Sequence, residues 1–158
     1  INTHKITEQR LSILENDMKI IKSHIKNNTL EIKHGIFFNG QIFDAYALLS
    51  DLIKSAKVSI ILIDNYIDES ILSLFSKNQN VKFIIYTQNI SKELQLDIKK
   101  YNKQYSNLEA KITKNFHDRF LICDETVYHF GASFKDLGNK IFAVNRMNIS
   151  VNDLLKNK

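Results

Sequence analysis

Proline is missing altogether from this 158-residue chain, and cysteine occurs once. The first absence removes any proline-rich linker. The second excludes an intrachain disulfide, because Cys123 has no partner, and points to a reducing, cytoplasmic compartment. No apolar run approaches the roughly 20 residues that cross a bilayer. The polar, basic start does not read as a signal peptide either, so no membrane partner is expected. One cysteine and scattered histidines do not make a structural zinc pattern. There is no Walker loop and no G-x-G-x-x-G. No metal and no cofactor is therefore expected. Internal repeats are absent too. The first residue is Ile rather than Met, so a segment upstream is expected.

What is present suits one globular domain with an appendage. Hydrophobic residues make up 44% of the chain, enough to bury a core. The formal net charge of +5 is compatible with a nucleic-acid partner, since phosphates dominate that kind of affinity. Abundant Lys, Asn and Ile would equally follow from an AT-rich genome.

Residues 1–28 read as a separate helix. Leu11, Leu14, Met18, Ile21 and Ile25 recur at alternating spacings of three and four, an a/d seam that Asn28 continues. With Leu11 at a, the g residues Arg10 and Asp17 face the e residues Glu15 and Lys22 of a parallel partner, and both pairs are opposite in sign. A self-associating, coiled-coil-type helix is expected; folding back on its own domain is the alternative. Ile6, Ile13 and Ile20 form a second stripe that needs cover from the globular part or from a larger assembly.

Residues 29–158 change to an α/β rhythm. Strand material with an Asn39-Gly40 turn precedes a helix over 41–56, expected to face the core through Phe43, Tyr46, Leu49 and Ile53. "KVSIILID" (57–64) and "VKFIIYT" (81–87) are continuous apolar runs, as buried strands are. A short helix over 68–78 and a longer one over 91–105, capped by Ser91, alternate with them. "LEAKIT", "RFLICD" and "TVYHFGA" supply three more strands, the last two joined at Asp124-Glu125. "KIFAVNRM" and "VNDLLKNK" end the chain as a strand and a helical turn or two. The expected fold class is α/β: a mixed, mostly parallel sheet with helices on both faces.

The stretch "HDRFLICDETVYHFGAS" (117–133) carries the chemistry. On an extended strand His117 and Arg119 would share a face, with Phe120 and Ile122 anchored in the core on the other. Asp124 ends the strand, and Gly131 is a point where backbone can approach a ligand. An imidazole beside a fixed cation is what phosphoryl chemistry requires. An ordinary solvated hairpin is the bland alternative. Asp64 and Asn65 lie at the end of a buried strand, where α/β sites gather; Asn65 could help bind phosphate or simply form the turn. His129 reads as a core or edge histidine. His4 and His34 have no companions that suggest a metal site. Phe116 and Tyr105 are weak stacking platforms.

The spacing H-x-R-x4-D, with Gly131 six residues further on, resembles the phospholipase D superfamily motif H-x-K-x4-D-x6-G-S-x-N. The resemblance extends over roughly residues 36–146, since "KSAKVSIILIDNYIDESILSLF" and the 81–105 unit are similar to the first units of such domains. Arg119 stands where the motif has Lys, Ala132 where it has Ser, and Phe134 where it has Asn; Ser133 and Lys135 lie one residue out of register. The resemblance implies a metal-independent phosphodiesterase, acting as a nuclease. In that scheme His117 attacks phosphorus to form a phosphohistidine, and a second His117, from the partner of a homodimer, protonates the leaving oxygen. Arg119 would hold the phosphate, Asp124 would orient the strand end, and Ser133, Lys135 and Asn65 would add phosphate contacts. The alternative is a catalytically inactive copy that serves dimerisation and DNA binding. Domains resembling this one also follow phage-type DNA-binding modules of the KilA-N kind. DNA is the expected nucleic acid ahead of RNA.

Overall fold

A computed structural model describes residues 2–28 and 34–156. It divides into two compact units, Ile1–Glu31 and Ile32–Lys158. In the first, no glycine or proline interrupts residues 2–28, and they form one helix, α1 (Asn2–Asn28). Its seam residues Leu11, Leu14, Met18 and Ile21 are all more than half exposed. Leu11, Leu14 and Met18 line an apolar groove beside Glu15, Lys19 and Lys22. Ile6, Ile13 and Ile20 are equally bare. The side chains of Ile25 and Asn28 lie outside the described set.

The second unit is built on a seven-stranded sheet. Its elements are β1 (His34–Phe37), α2 (Ile42–Ser55), β2 (Ser59–Ile63), α3 (Ser70–Phe75), β3 (Lys82–Thr87), α4 (Lys92–Gln104), β4 (Leu108–Ile112), β5 (Arg119–Cys123), β6 (Thr126–Phe130), β7 (Phe142–Met147) and α5 (Val151–Leu155). The strand expected over 30–40 appears as β1; residues 29–33, and 157–158 of the final turn, lie outside the described residues. The sheet order is β1-β7-β6-β5-β2-β3-β4. Five strands run one way and only β5 and β7 oppose them, so in direction the sheet is mostly parallel. Neighbour by neighbour it is not. β2-β3 and β3-β4 pair in parallel, whereas the other four pairings are antiparallel. The β5–β6 hairpin inserts beside β2 and reverses the local direction.

Both faces of the central strands are dry, which explains their unbroken apolar runs. On one face Ile60 and Leu62 lie beside Cys123 and Leu121 in register, under α2 and α3. The Cys123 thiol donates to the Leu52 carbonyl at 3.5 Å, and Phe75 of α3 stacks on Phe83 with centroids 4.2 Å apart. Each such fully buried side chain contributes roughly 1.5–3 kcal/mol. Burial, aided by nearby Asp124, pushes the Cys123 thiol up to about 12. On the other face Ile61, Ile63, Tyr86, Ile122 and Val127 pack with Phe120 and with Val151, Leu154 and Leu155 of α5.

Helix α2 corrects one expectation. It buries Ala45, Leu49, Leu52 and Ile53, an i, i+4, i+7, i+8 stripe. Phe43 is 77% exposed and Tyr46 40%, with Lys77 Nζ over the Tyr46 ring at 5.0 Å. Ser91 caps α4 as expected, its hydroxyl accepting from Leu94 N at 3.1 Å.

Candidate phosphate-binding site

The site begins where β2 ends. Asp64 is fully buried there, and its carboxylate accepts three hydrogen bonds: from Tyr66 N at 2.9 Å, Ser133 Oγ at 2.7 Å and Phe134 N at 2.8 Å. A buried carboxylate needs such donors, and here they tie the loop after β6 to the end of β2. The same loop meets the start of α2. Gly138 sits at φ +84°, and a Cβ there would lie 2.5 Å from the Ile42 Cα. Its carbonyl accepts from Gly40 N at 3.0 Å. Only glycine combines that dihedral with that approach.

Held at both places, the loop walls a cleft of about 480 Å³ whose cations are Arg119, Lys135 and Lys140, with Tyr66 and Ser133 between them and Asp136 as the one acid. The Arg119 guanidinium carbon lies 5.8 Å from the Tyr66 ring centroid, a cation–π contact that fixes a flexible cation in place. Three cations around one concave surface can accommodate an oxyanion, and an arginine fork suits phosphate.

The remaining expected residues are distributed differently. β5 starts at Arg119, so His117 lies in the bend before the strand. Its side chain is 99% exposed and its Nδ1 is 3.1 Å from Asp118 Oδ1. It does not line the cleft with Arg119, contrary to the shared face expected of one continuous strand. A carboxylate can only accept, so Nδ1 donates to Asp118, on a ring that is otherwise exposed. The other oxygen of Asp118 is 3.0 Å from His129 Nε2, and His129 Nδ1 is 3.1 Å from Asn145 Oδ1. The hydrogen bond from His117 is the largest influence on Asp118; together with His129 it outweighs burial and holds the carboxyl below the usual range.

Asp124 stands at the opposite end of β5, about 20 Å from His117 along an extended strand. It occupies the hairpin turn at φ +56°. Its carboxylate accepts from Lys57 N at 3.0 Å, Val58 N at 2.8 Å and Ser59 N at 3.1 Å. Burial is the largest single influence and acts to raise its pKa. The three backbone donors and the Lys57 charge outweigh it, so the carboxyl lies below its usual value. Asn65 donates from Nδ2 to the Phe116 carbonyl at 2.7 Å, which holds the bend carrying His117. Gly131 packs against β7, donating to the Ala143 carbonyl at 2.9 Å; a Cβ there would lie 3.3 Å from that oxygen.

Sequence reasoning thus found Arg119, Ser133 and Lys135 in the cleft. It missed Tyr66 and Lys140, the anchoring role of Asp64, and the Asp118–His129 pair. An acid lodged between His and Arg, with a histidine opposite across a tight hairpin, was the available signal. Among the described residues no group of three or more His, Cys, Asp or Glu is placed to hold a metal ion, and no helix is long and apolar enough to cross a membrane.

No protein-family model matches the sequence, and no curated protein matches it either. Solved structures do. NucT from Helicobacter pylori is similar over 71% of this chain and 84% of its own, with a TM-score of 0.54 at 15% identity. The fold is phospholipase D-like. TrmBL2, an archaeal chromatin protein described as having a novel mode of DNA binding, is similar over 91% of this chain, with a TM-score of 0.50 at 17% identity. This chain spans 58% of TrmBL2.

Proposed function

We propose that this phospholipase D-like chain acts as a homodimer that binds nucleic acid, DNA ahead of RNA, by gripping backbone phosphate in the Arg119–Lys135–Lys140 cleft. The observation that carries this reading is the convergence of those three cations on one concave surface, with Arg119 held against Tyr66. The likeness to a DNA-binding chromatin protein along most of the chain agrees with it. Dimerisation is supported by the exposed heptad seam of α1 and by the opposite charges at its e and g positions. In a regulatory or mobile-element protein of the KilA-N-like kind, such a module would pair DNA-bound copies.

Hydrolysis is the second reading. One observation favours it: Asp118 accepts from His117 Nδ1 and leaves the rest of the ring exposed, as a nucleophile attacking phosphorus requires. Attack by an unprotonated Nε2 would form P–N as the P–O bond to the leaving group breaks; the partner's His117, protonated at Nε2, would give that proton to the leaving oxygen, and water, its proton returning to that second imidazole, would then break P–N and release the phosphomonoester. Binding without cleavage ranks first because the motif's Ser and Asn are Ala132 and Phe134, the Ser133 hydroxyl is committed to Asp64, and His117 stands outside the cleft wall.

The deciding experiment combines DNA binding with a nuclease assay in EDTA on wild type, Arg119→Ala and His117→Ala. Binding that is weakened by Arg119→Ala, with no cleavage by any of the three, is the expected result. EDTA-resistant cleavage that vanishes in His117→Ala would make hydrolysis the function. Wild-type protein that neither binds nor cleaves would overturn both readings.

A further inference from the structure

The loop between β6 and β7 has two sides. Ser133, Lys135 and Asp136 line the phosphate cleft. Phe134 and Leu137 instead line a smaller recess of about 190 Å³, bounded also by Ile42 and Tyr46 of α2 and Leu74 of α3. Lys135 belongs to both cavities. Ser133 and Phe134 are consecutive, with Cα atoms about 3.8 Å apart, so little more than the thickness of one chain separates the two. The tie from Gly40 N to the Gly138 carbonyl holds that separation. Much of the recess is walled by surface that the core does not use. Helix α2 fills the core through Ala45, Leu49, Leu52 and Ile53 and leaves Ile42, Phe43 and Tyr46 exposed. The Phe43 and Tyr46 ring centroids are 6.5 Å apart, and Lys77 brings a further cation to Tyr46. Exposed rings beside backbone-binding cations are how single strands are held, the bases stacking on the rings while the cations follow the phosphates.

We infer that this recess takes one unpaired nucleobase of the strand whose phosphate lies against Lys135, so that a single strand engages more of the protein than a duplex does. The inference rests on the phosphate-binding reading above and specifies its ligand. Three features select a base. First, the occupant is tethered to a phosphate, because Lys135 serves both cavities. Second, a recess of about 190 Å³ between two helices and a loop has room for one ring system and none for a base pair, and a duplex keeps its bases stacked out of reach of such a wall. Third, the rim carries the Ser70 hydroxyl, which donates to Asp68 and keeps lone pairs for an N–H on a base edge. An acyl chain beside a phosphate would leave that acceptor unmatched.

Fluorescence anisotropy of the full chain tests this with three labelled ligands of equal length: an oligothymidylate, an abasic single strand and a duplex. Wild type, Tyr46→Ala, Tyr46→Phe and Arg119→Ala are compared, with circular dichroism as the check on folding. Tyr46→Ala should weaken oligothymidylate binding by about 5- to 100-fold and leave the abasic strand and the duplex unchanged. Tyr46→Phe, which keeps the ring, should bind like wild type, and Arg119→Ala should weaken all three ligands. Wild type alone should hold the oligothymidylate more tightly than the abasic strand, a comparison that needs no variant. Equal wild-type affinity for those two strands, or an equal loss on both in Tyr46→Ala, would overturn the base recess and leave the phosphate cleft standing. Wild type that binds none of the three would overturn the phosphate reading and the inference with it.

Discussion

At the scale of single residues, two carboxylates that look alike in the sequence do different work. Asp118 faces outward and serves the histidines; Asp124 faces the start of β2 and serves the fold. Asp124→Ala removes the acceptor for three backbone N–H groups and should cost about 1–2 kcal/mol at pH 7, with water replacing part of the loss. The folded-state pKa of Asp124 is depressed. Its contribution is therefore complete above the unfolded carboxylate value of about 3.9 and disappears as pH falls through the lower folded value. Urea denaturation of wild type and variant should differ at pH 7, and the difference should shrink as pH falls below the usual carboxylate range; equal stabilities at pH 7 would refute the anchor. Arg119 was legible in the sequence from its spacing to His117, and Lys135 only through the resemblance to the motif. The direction of His117 was not, because it depends on where β5 begins and on the bend before it, which Asn65 holds through Phe116 from the turn after β2.

At the scale of elements, periodicity placed the helices and strands it was applied to, since buried strands and amphipathic helices leave a local signature. Strand order left none: nothing in "RFLICD" says that it lies antiparallel to β2, 60 residues earlier. Nor did aromatic content reveal the buried side of α2, where Ala45 and Leu52 face inward in place of Phe43 and Tyr46. The loop between β6 and β7 is shaped by its fit to α2. Gly138→Ala would set a Cβ against the Ile42 backbone at an unfavourable φ, a loss of roughly 2–4 kcal/mol. Thermal unfolding should show a correspondingly lower midpoint and, if the cleft holds phosphate, DNA binding should weaken, as Lys135 and Lys140 flank this glycine. A variant of wild-type stability would mean that the loop can move away freely.

For the whole molecule, the net charge of +5 and the cleft make separate contributions that salt can distinguish. If phosphate is held in the cleft, Arg119→Ala and Lys135→Ala should each flatten the dependence of log affinity on log salt by about one. Lys103→Ala, on α4, should leave the slope unchanged; equal effects at all three positions would assign binding to diffuse charge. The cleft is also bound into the fold as a whole. Strand β2 is clasped at both ends, by Asp124 from the hairpin and by its own neighbour Asp64 reaching to Ser133 and Phe134. The cleft wall therefore cannot peel away as an independent flap while β2 stays in place. Its opening belongs to the same cooperative unit as the central sheet, so the cations keep their spacing for as long as the domain remains folded.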